Sequence, residues 1–275
     1  MRIIEPTTEA HEEYLLARAA DISCTIRPYP GFQAEAFVTH YAGPPALIMW
    51  HQTPLRESIG WAIPYAVLDR RAAASVGLMQ LINPKLVYIA TPNGFGTGFQ
   101  WLKRLGARAI SPKEILKDKD QMFEKTRVDT IFATPSLIFT MMGRNMGCAA
   151  LLRVVIFIGC ETLSAEELRT IRAFFGVIEV TVVYWRAWAG IISMTRLDDM
   201  LNGDPSDCGQ AVDGLEVEEI NGALFARGPN VEGLTLLSQK LLGVLGSGWV
   251  PLLNTGRVVD GRVFVTGEVA DRSQL

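Results

Sequence analysis

The sequence predicts an α/β fold, with a mostly parallel sheet flanked by helices and a smaller β region after it. Short apolar strands alternate with helical segments up to about residue 200, as in parallel sheets. The run VVIFI at 154–158 is apolar at every position, which is expected of a strand covered by helices on both faces. Beyond about residue 204, Gly, Asp and Asn become frequent and the predicted strands shorten, which indicates an antiparallel region.

Apolar runs and breaking residues predict the elements of the α/β part in chain order. The first predicted helix has Thr8 as its cap, and the last is entered at Ser164 with two glutamates in its first turn. The predicted helices cover residues 9–20, 63–81, 99–105, 121–125, 136–142 and 165–174. The predicted strands cover residues 46–50, 87–91, 109–110, 130–133, 154–158 and 178–184.

Two hairpin turns organise the predicted β region. Asn221-Gly222 and Asp260-Gly261 are each flanked by apolar segments, and such dipeptides favour the tight turns that join antiparallel strands. The predicted strands cover residues 215–220, 223–226, 234–237, 257–259 and 262–265.

Composition narrows the function classes. The 275 residues are 49% apolar and 20% charged with a net charge of −3, which fits a globular protein and argues against nucleic acid as a partner. No apolar run reaches the roughly 18 residues of a membrane span, and the acidic N-terminus does not resemble a signal peptide. We therefore expect a cytoplasmic protein without membrane contact. Zinc is not expected, because the cysteines are widely separated: Cys24, Cys148, Cys160 and Cys208.

Residues 47–68 lack the side chains that a phosphate-binding loop uses. Glycines let backbone N–H groups approach phosphate, hydroxyls donate hydrogen bonds, and a lysine neutralises charge. This segment offers the hydroxyls of Thr53 and Ser58 and a single glycine, Gly60, but no lysine. The segment therefore does not predict a phosphate site by its own chemistry.

Six segments in this order resemble motifs of the adenylate-forming superfamily, which comprises acyl-CoA and aryl-CoA ligases, fatty-acyl ligases and peptide-synthetase adenylation domains. The resemblance extends over residues 44–275. It implies the α/β fold above, and activation of a carboxylate with ATP as an acyl-adenylate before transfer to a thiol. The segments are IATPNGFGTGF, DTIFATPSLIFTMM, LLRVVIFIGCETLSAEEL, TVVYWRAWAGIIS, GQAVDGLEVEEINGALFARGPNV and GWVPLLNTGRVVDGRVFVTGEVADRSQL.

The chain departs from the family first at the phosphate loop, Thr-Ser-Gly-Thr-Thr-Gly-x-Pro-Lys-Gly. Residues 51–60 stand in its place, with Ile59 where the lysine would be and Glu57 adding negative charge. A like charge about 4 Å from a phosphate costs about 4 kcal/mol at an effective dielectric constant near 20. The resemblance therefore implies that triphosphate binding is lost here.

Two further motifs have lost their nucleotide contacts. In the place of Tyr-Gly-x-Thr-Glu, the glycine is Trp185, the threonine is Ala187, and the glutamate that helps to hold Mg²⁺ is Trp188. The ribose-binding aspartate has become Asn254, and the ribose-contacting arginine has become Glu268. No cofactor is therefore expected.

The resemblance also implies a domain organisation, a truncated adenylate-forming core. We expect an N-terminal extension over residues 1–43, an α/β core over 44–200, and a small β subdomain over 201–275 that ends at the family's hinge, where Asp271 is retained. The chain stops at Leu275, so the C-terminal domain that carries the family's catalytic lysine is expected to be absent.

The resemblance implies an acyl or aryl pocket but no catalytic or metal-binding residue. Glu161 could face a ligand or be a carboxylate that flanks a helix. Trp185 and Trp188 could line the pocket or plug the space of a lost nucleotide, and we favour the plug. Phe95 could border the pocket or belong to an ordinary strand-to-helix turn. The candidate substrate-binding residues are Phe95, Gly96, Thr134, Gly159, Cys160, Glu161, Tyr184, Trp185 and Trp188.

Two other residues keep alternatives open. Cys160 could be a nucleophile, but a small buried residue is the commoner role of an isolated cysteine, and nothing supports a pair with His51. Arg186 could anchor a carboxylate or phosphate, and we favour a solvated surface arginine.

Three functions fit these observations. The first is a degenerate pseudoenzyme that acts as an acyl-binding or partner subunit in an acyl-activating or natural-product pathway. The alternative is an active enzyme with unusual chemistry that uses a partner chain or a preformed acyl thioester, with ATP and Mg²⁺ only in that case. The third is a dimerisation module. The expected partners are a second copy, another protein such as an acyl carrier protein, or an acyl or aryl small molecule.

Overall fold

The computed structural model describes part of the chain, and the account below concerns that part. The predicted helices at 9–20, 99–105 and 121–125 lie outside it. The described residues are 3–4, 25–26, 46–52, 58–64, 66–68, 70–71, 84, 86–90, 108–110, 128–143, 151–159, 161–186, 188–236 and 248–269.

The described part of the chain contains sixteen strands and three helices, together with helical residues at 66–68 and 70–71. The strands are β1 (Ile3–Ile4), β2 (Thr25–Ile26), β3 (Ala46–Gln52), β4 (Ser58–Pro64), β5 (Leu86–Ala90), β6 (Arg108–Ile110), β7 (Thr130–Ala133), β8 (Arg153–Ile158), β9 (Glu179–Arg186), β10 (Gly190–Arg196), β11 (Asp207–Gln210), β12 (Glu216–Ile220), β13 (Ala223–Arg227), β14 (Thr235–Leu236), β15 (Val250–Val259) and β16 (Arg262–Glu268). The helices are α1 (Pro135–Gly143), α2 (Ala165–Phe175) and α3 (Leu197–Asn202).

The central sheet is mostly parallel, as predicted. Its strand order is β10-β9-β8-β7-β5-β6, and every neighbouring pair is parallel except β10 with β9. The side chains of β7 are buried throughout, and those of β8 are buried after its first residue, because apolar residues on both faces need cover. The second sheet is antiparallel, in the order β11-β16-β15-β13-β12. The predicted fold class is therefore confirmed.

Local signals explain why α2 begins where it does. The Ser164 hydroxyl accepts a hydrogen bond from the backbone N–H of Glu167, whose carboxylate accepts one from the backbone N–H of Ser164. This capping box satisfies two donors that the first turn would otherwise leave unpaired. The buried face of the helix follows the helical period, with Leu168, Ile171 and Phe175 against the sheet.

Both predicted hairpins are present in the antiparallel sheet. Asn221 and Gly222 have φ values of 54° and 81°, and Asp260 and Gly261 have values of 50° and 76°. Two successive residues with positive φ define the turn that matches the twist of the flanking strands. These turns join β12 to β13 and β15 to β16.

Several predicted bounds need correction. Residues 47–68 form an antiparallel hairpin with β3 paired to β4, so Ile63 and Pro64 belong to a strand and not to the predicted helix 63–81. Strand β10 and helix α3 were not predicted, and β15 begins seven residues before the predicted strand 257–259. For the strands, hydrogen bonding to a neighbouring strand outweighs local propensity.

Candidate functional site

The carboxyl ends of β7, β8 and β9 bring three of the motifs that carry the resemblance to the edge of the central sheet where these strands end. In the parallel register Ala133 is the partner of Ile156, and Ile158 is the partner of Tyr184. Ligands of open α/β sheets bind in the crevice outside such strand ends. Thr134 and Gly159 follow their strands directly at this edge.

Glu161 caps helix α1. One of its carboxylate oxygens accepts a hydrogen bond of 2.7 Å from the backbone N–H of Ser136, and the other accepts one of 2.9 Å from the Ser136 hydroxyl. A negative charge is favourable here, because the unpaired N–H groups of a first helical turn carry partial positive charge. The carboxylate therefore fixes the start of α1 against the end of β8.

A cleft of about 490 Å³ opens beside this cap. Its size is that of a small-molecule site. Of the predicted site residues that the structure describes, Glu161 is the one in its wall. The lining residues are Pro135, Ser136, Phe139, Glu161, Thr162, Glu167, Gly267 and Glu268.

Trp188 is packed inside the protein. It is 3% exposed, and its indole stacks on that of Trp61 with ring centroids 5.5 Å apart and planes 7° apart. Its ring N–H donates a hydrogen bond of 3.0 Å to the carbonyl oxygen of Pro251, and its own carbonyl oxygen accepts one from the Arg71 guanidinium. Burial, and to a lesser degree the charge of neighbouring Arg70, lowers the pKa of Arg71 to about 9. The Trp188 ring and backbone are thus held by separate parts of the chain.

Arg186 is fully buried, so the expectation of a solvated surface arginine is wrong. Its Nε donates a 2.8 Å hydrogen bond to Oδ1 of Asn254, and its Nη2 donates one of 3.1 Å to the carbonyl oxygen of Leu253. Both Nη atoms also lie 3.4–3.5 Å from Oε1 of Glu268, and the guanidinium carbon lies 5.2 Å from the centre of the Trp188 ring. Burial is tolerated because these acceptors replace water.

Asn254 is the centre of this buried network. Its Oδ1 accepts from the Tyr184 hydroxyl at 2.9 Å as well as from Arg186, and its Nδ2 donates at 2.8 Å to the carbonyl oxygens of Gly159 and Gly267. An asparagine side chain has two donors and two acceptor positions, so its capacity is used in full. Its partners come from β9, from the turn after β8 and from β16, and its strand neighbour in β16 is Glu268.

Trp185 points away from this network. Its ring meets Phe157 edge to face with centroids 6.4 Å apart, and it is only partly buried. Its backbone passes close to Gly159, where a Cβ atom would lie closer than 3.0 Å to the carbonyl oxygen of Trp185. Gly159 has a φ of 138°, so both the space and the backbone conformation there require glycine.

Three of the predicted site residues lie outside the described residues: Phe95, Gly96 and Cys160. The sequence arguments missed the network itself, although Asn254 and Glu268 were recognised as replacements. The sequence did contain a signal for the network. Asn254 stands where the resemblance places an aspartate, and Glu268 stands where it places an arginine, so both replacements alter the charge close to Arg186. Among the described residues, no group of three or more His, Cys, Asp or Glu side chains could hold a metal ion.

None of the helices in the described part of the chain has the length and apolar character of a membrane span.

Solved structures with related folds cover most of the chain. VinN matches with a TM-score of 0.68 at 13% identity, over 96% of this chain and 85% of VinN. The amide bond synthetase McbA from Marinactinospora thermotolerans matches with a TM-score of 0.59 at 15% identity, over 97% of this chain and 60% of McbA. McyG A-PCP, complexed with phenylalanyl-adenylate, matches with a TM-score of 0.62 at 12% identity, over 84% of this chain and 50% of that one.

No protein-family model and no curated protein matches the sequence. The chain spans 60% of McbA and 50% of the McyG protein, so it corresponds to a part of those molecules. The resemblance inferred from the sequence motifs is confirmed at the level of structure: this chain has the core fold of the adenylate-forming enzymes.

Proposed function

We propose that the chain is a non-adenylating homologue of the carboxylate-activating acyl- and aryl-CoA ligases, acting as an acyl-binding or partner subunit. One observation carries the proposal. Asn254 and Trp188, at positions that the resemblance assigns to ribose and Mg²⁺ contacts, are buried, and their polar groups bond to the protein itself.

The ribose contacts are the first part of the argument. A ribose diol needs an acceptor such as a carboxylate, and Asn254 replaces that charge with a neutral amide already engaged in four hydrogen bonds. Binding a ribose would break at least one of them and leave a buried partner unpaired, at a cost of about 1–3 kcal/mol. Glu268 is an acceptor where the family places a donor.

The metal contact is the second part. An indole ring offers no oxygen ligand, and Mg²⁺ prefers oxygen ligands in octahedral geometry. Trp188 is also stacked on Trp61 and bonded to Pro251, so it cannot turn aside without disrupting buried packing. The residues present therefore do not fit a Mg²⁺·ATP site of the family's kind.

The backbone conformation at Leu253 supports descent from an active enzyme. Leu253 stands where the family has the glycine of Thr-Gly-Asp, and its φ is 59°. Glycine adopts this region freely, whereas it is rare for a bulky side chain. The segment thus keeps a glycine-like conformation after the glycine has been replaced.

Pyrophosphate exchange tests the proposal. The purified protein is incubated with Mg²⁺·ATP, labelled pyrophosphate and a panel of aliphatic and aromatic carboxylic acids, with an active adenylate-forming enzyme as the positive control. We expect exchange at the level of the protein-free blank for every acid. Exchange above the blank with any acid would contradict the proposal.

A second candidate is acyl transfer from a preformed thioester, and the Ser136 hydroxyl favours it. This hydroxyl lies in the wall of the cleft and donates to the Glu161 carboxylate at 2.9 Å. A hydroxyl paired with a carboxylate has the composition of an activated nucleophile. Intact-mass measurement after incubation with acetyl-CoA or benzoyl-CoA decides the question. A mass increase lost in Ser136→Ala would support acyl transfer, and an unchanged mass would remove it.

The partner role is supported by exposed apolar side chains near the amino ends of β8 and β9. Leu152 is 60% exposed, and Val177 is fully exposed just after α2. Exposed apolar groups of this kind favour association. Light scattering should give a mass above that of one chain, and a monomer at working concentration would count against self-association.

A further inference from the structure

We infer that Arg186 forms an anion-binding site which the chain fills with its own Glu268 carboxylate, and that this contact closes one wall of the cleft. When the Glu268 side chain is withdrawn or removed, a small oxyanion from the cleft would take its place on Arg186. This inference rests on the proposed function, because it concerns the same cleft in a protein that does not use it for adenylation.

The guanidinium is held in place independently of Glu268. Its Nε is anchored by Asn254 and its Nη2 by the carbonyl oxygen of Leu253, while its face lies over the Trp188 ring. A buried cation fixed in this way keeps its position when one partner is removed. Without Glu268, the buried Arg186 guanidinium would attract an anion strongly, because water does not screen its charge.

The contact with Glu268 is longer than a good ion pair. One oxygen, Oε1, lies 3.4 Å from Nη2 and 3.5 Å from Nη1 of Arg186, whereas charge-assisted N–H···O bonds are usually about 2.7–2.9 Å long. The Arg186 side chain is 0% exposed, but the Glu268 side chain is 28% exposed. A fixed buried cation is thus covered by a carboxylate that reaches it imperfectly and remains open to solvent.

Glu268 contacts Arg186 and also lines the cleft. Gly267 and Glu268 belong to the cleft wall, whereas Arg186 does not. Withdrawal of the Glu268 side chain would therefore connect the cleft to the guanidinium. A free carboxylate or phosphate would then pair with the guanidinium in the place of the Glu268 carboxylate, because arginine binds both kinds of oxyanion through charge-assisted hydrogen bonds.

Chemical rescue of Glu268→Ala tests the inference. Thermal unfolding is followed at constant pH and ionic strength in sodium chloride, sodium acetate or sodium phosphate. We expect the variant to unfold at a lower temperature than the wild type in chloride. Acetate at tenfold its dissociation constant should raise the midpoint of the variant by about 3 °C, saturably, and leave the wild type unchanged. Comparing acetate with phosphate shows which oxyanion the site prefers.

Three control variants identify the site. Glu179→Ala removes the carboxylate of a comparable pair, Arg153–Glu179 at 3.3 Å, in which both side chains are partly exposed, and it should show no acetate effect. Arg186→Met in the Glu268→Ala background should abolish the rescue. Glu268→Gln should be destabilised but not rescued, because the amide still fills the space.

Equal responses of Glu268→Ala and wild type to both anions would overturn the inference, as would rescue that persists without Arg186. If Glu268→Ala does not fold in chloride, it is refolded in acetate. Recovery in acetate supports the inference, and equal failure in both salts overturns it. The proposed function fails separately, by pyrophosphate exchange in the wild type, which does not depend on any anion effect.

Discussion

Asn254→Asp should destabilise the protein, although it restores the residue type that the family has at this position. The side chains have nearly the same shape, so the change replaces the Nδ2 amide group with an oxygen. That nitrogen now donates 2.8 Å hydrogen bonds to the carbonyl oxygens of Gly159 and Gly267. The variant would place a carboxylate oxygen against both.

The magnitude follows from these contacts. Each carbonyl left without its donor costs about 1–3 kcal/mol, and the partly buried Gly267 carbonyl belongs at the lower end. The new charge gains about 1 kcal/mol from a stronger hydrogen bond with Arg186, since bonds to charged groups exceed neutral ones by about that amount. We therefore expect a net loss of about 2 kcal/mol in the free energy of unfolding.

Urea denaturation followed by circular dichroism measures this loss. Asn221→Asp is the matched control, because it makes the same change in an exposed hairpin turn. Aspartate, like asparagine, tolerates the positive φ of this turn position. The control should differ from wild type by less than about 0.5 kcal/mol. An Asn254→Asp protein as stable as the wild type, or more stable, would refute the account of Asn254 as the centre of a closed network.

Three further predictions, two on substitutions and one on chemical labelling, test the surrounding structure. Gly159→Ala should cost more than about 3 kcal/mol in thermal unfolding, because its Cβ would collide with the Trp185 carbonyl. Gly143→Ala is the control and should stay within about 1 kcal/mol of wild type, because within the described part of the chain its Cβ would have no neighbour within 4 Å apart from the adjoining residues and its own helix backbone. Similar losses in both variants would contradict the close approach. Ser164→Ala should cost about 1 kcal/mol in urea denaturation through loss of the α2 cap, and no loss would argue against the capping box. Burial raises the pKa of the Cys208 thiol to about 12. At pH 8, iodoacetamide should therefore label Cys208 in the unfolded protein but not in the folded protein, as mapped by mass spectrometry of peptides. Labelling of Cys208 in the native protein would contradict its burial.

Elements with strong local signals could be predicted from the sequence. Strand β7 has the predicted bounds, and α2 extends one residue beyond them, because an apolar run and a capping box specify these elements without help from distant residues. The Asn221-Gly222 and Asp260-Gly261 turns were predictable for the same reason, since few other residues adopt two successive positive φ values.

The contacts within the candidate site could not be predicted from the sequence. Arg186 was expected on the surface because arginine is rarely buried, and its burial depends on Asn254 and Glu268, which are 68 and 82 residues away. Trp61 was not connected with Trp188 for a similar reason, because their stacking arises only when the hairpin of β3 and β4 packs beside the end of β9. Such contacts depend on tertiary structure, which local patterns do not encode.

Calorimetric titration with Mg²⁺·ATP tests the central claim most directly, because the claim is that this adenylate-forming fold has lost its nucleotide site. The account predicts no saturable heat up to millimolar nucleotide, under conditions in which an active adenylate-forming enzyme binds. Saturable binding of Mg²⁺·ATP at micromolar affinity, reduced by Arg186→Met or by Asn254→Ala, would contradict it.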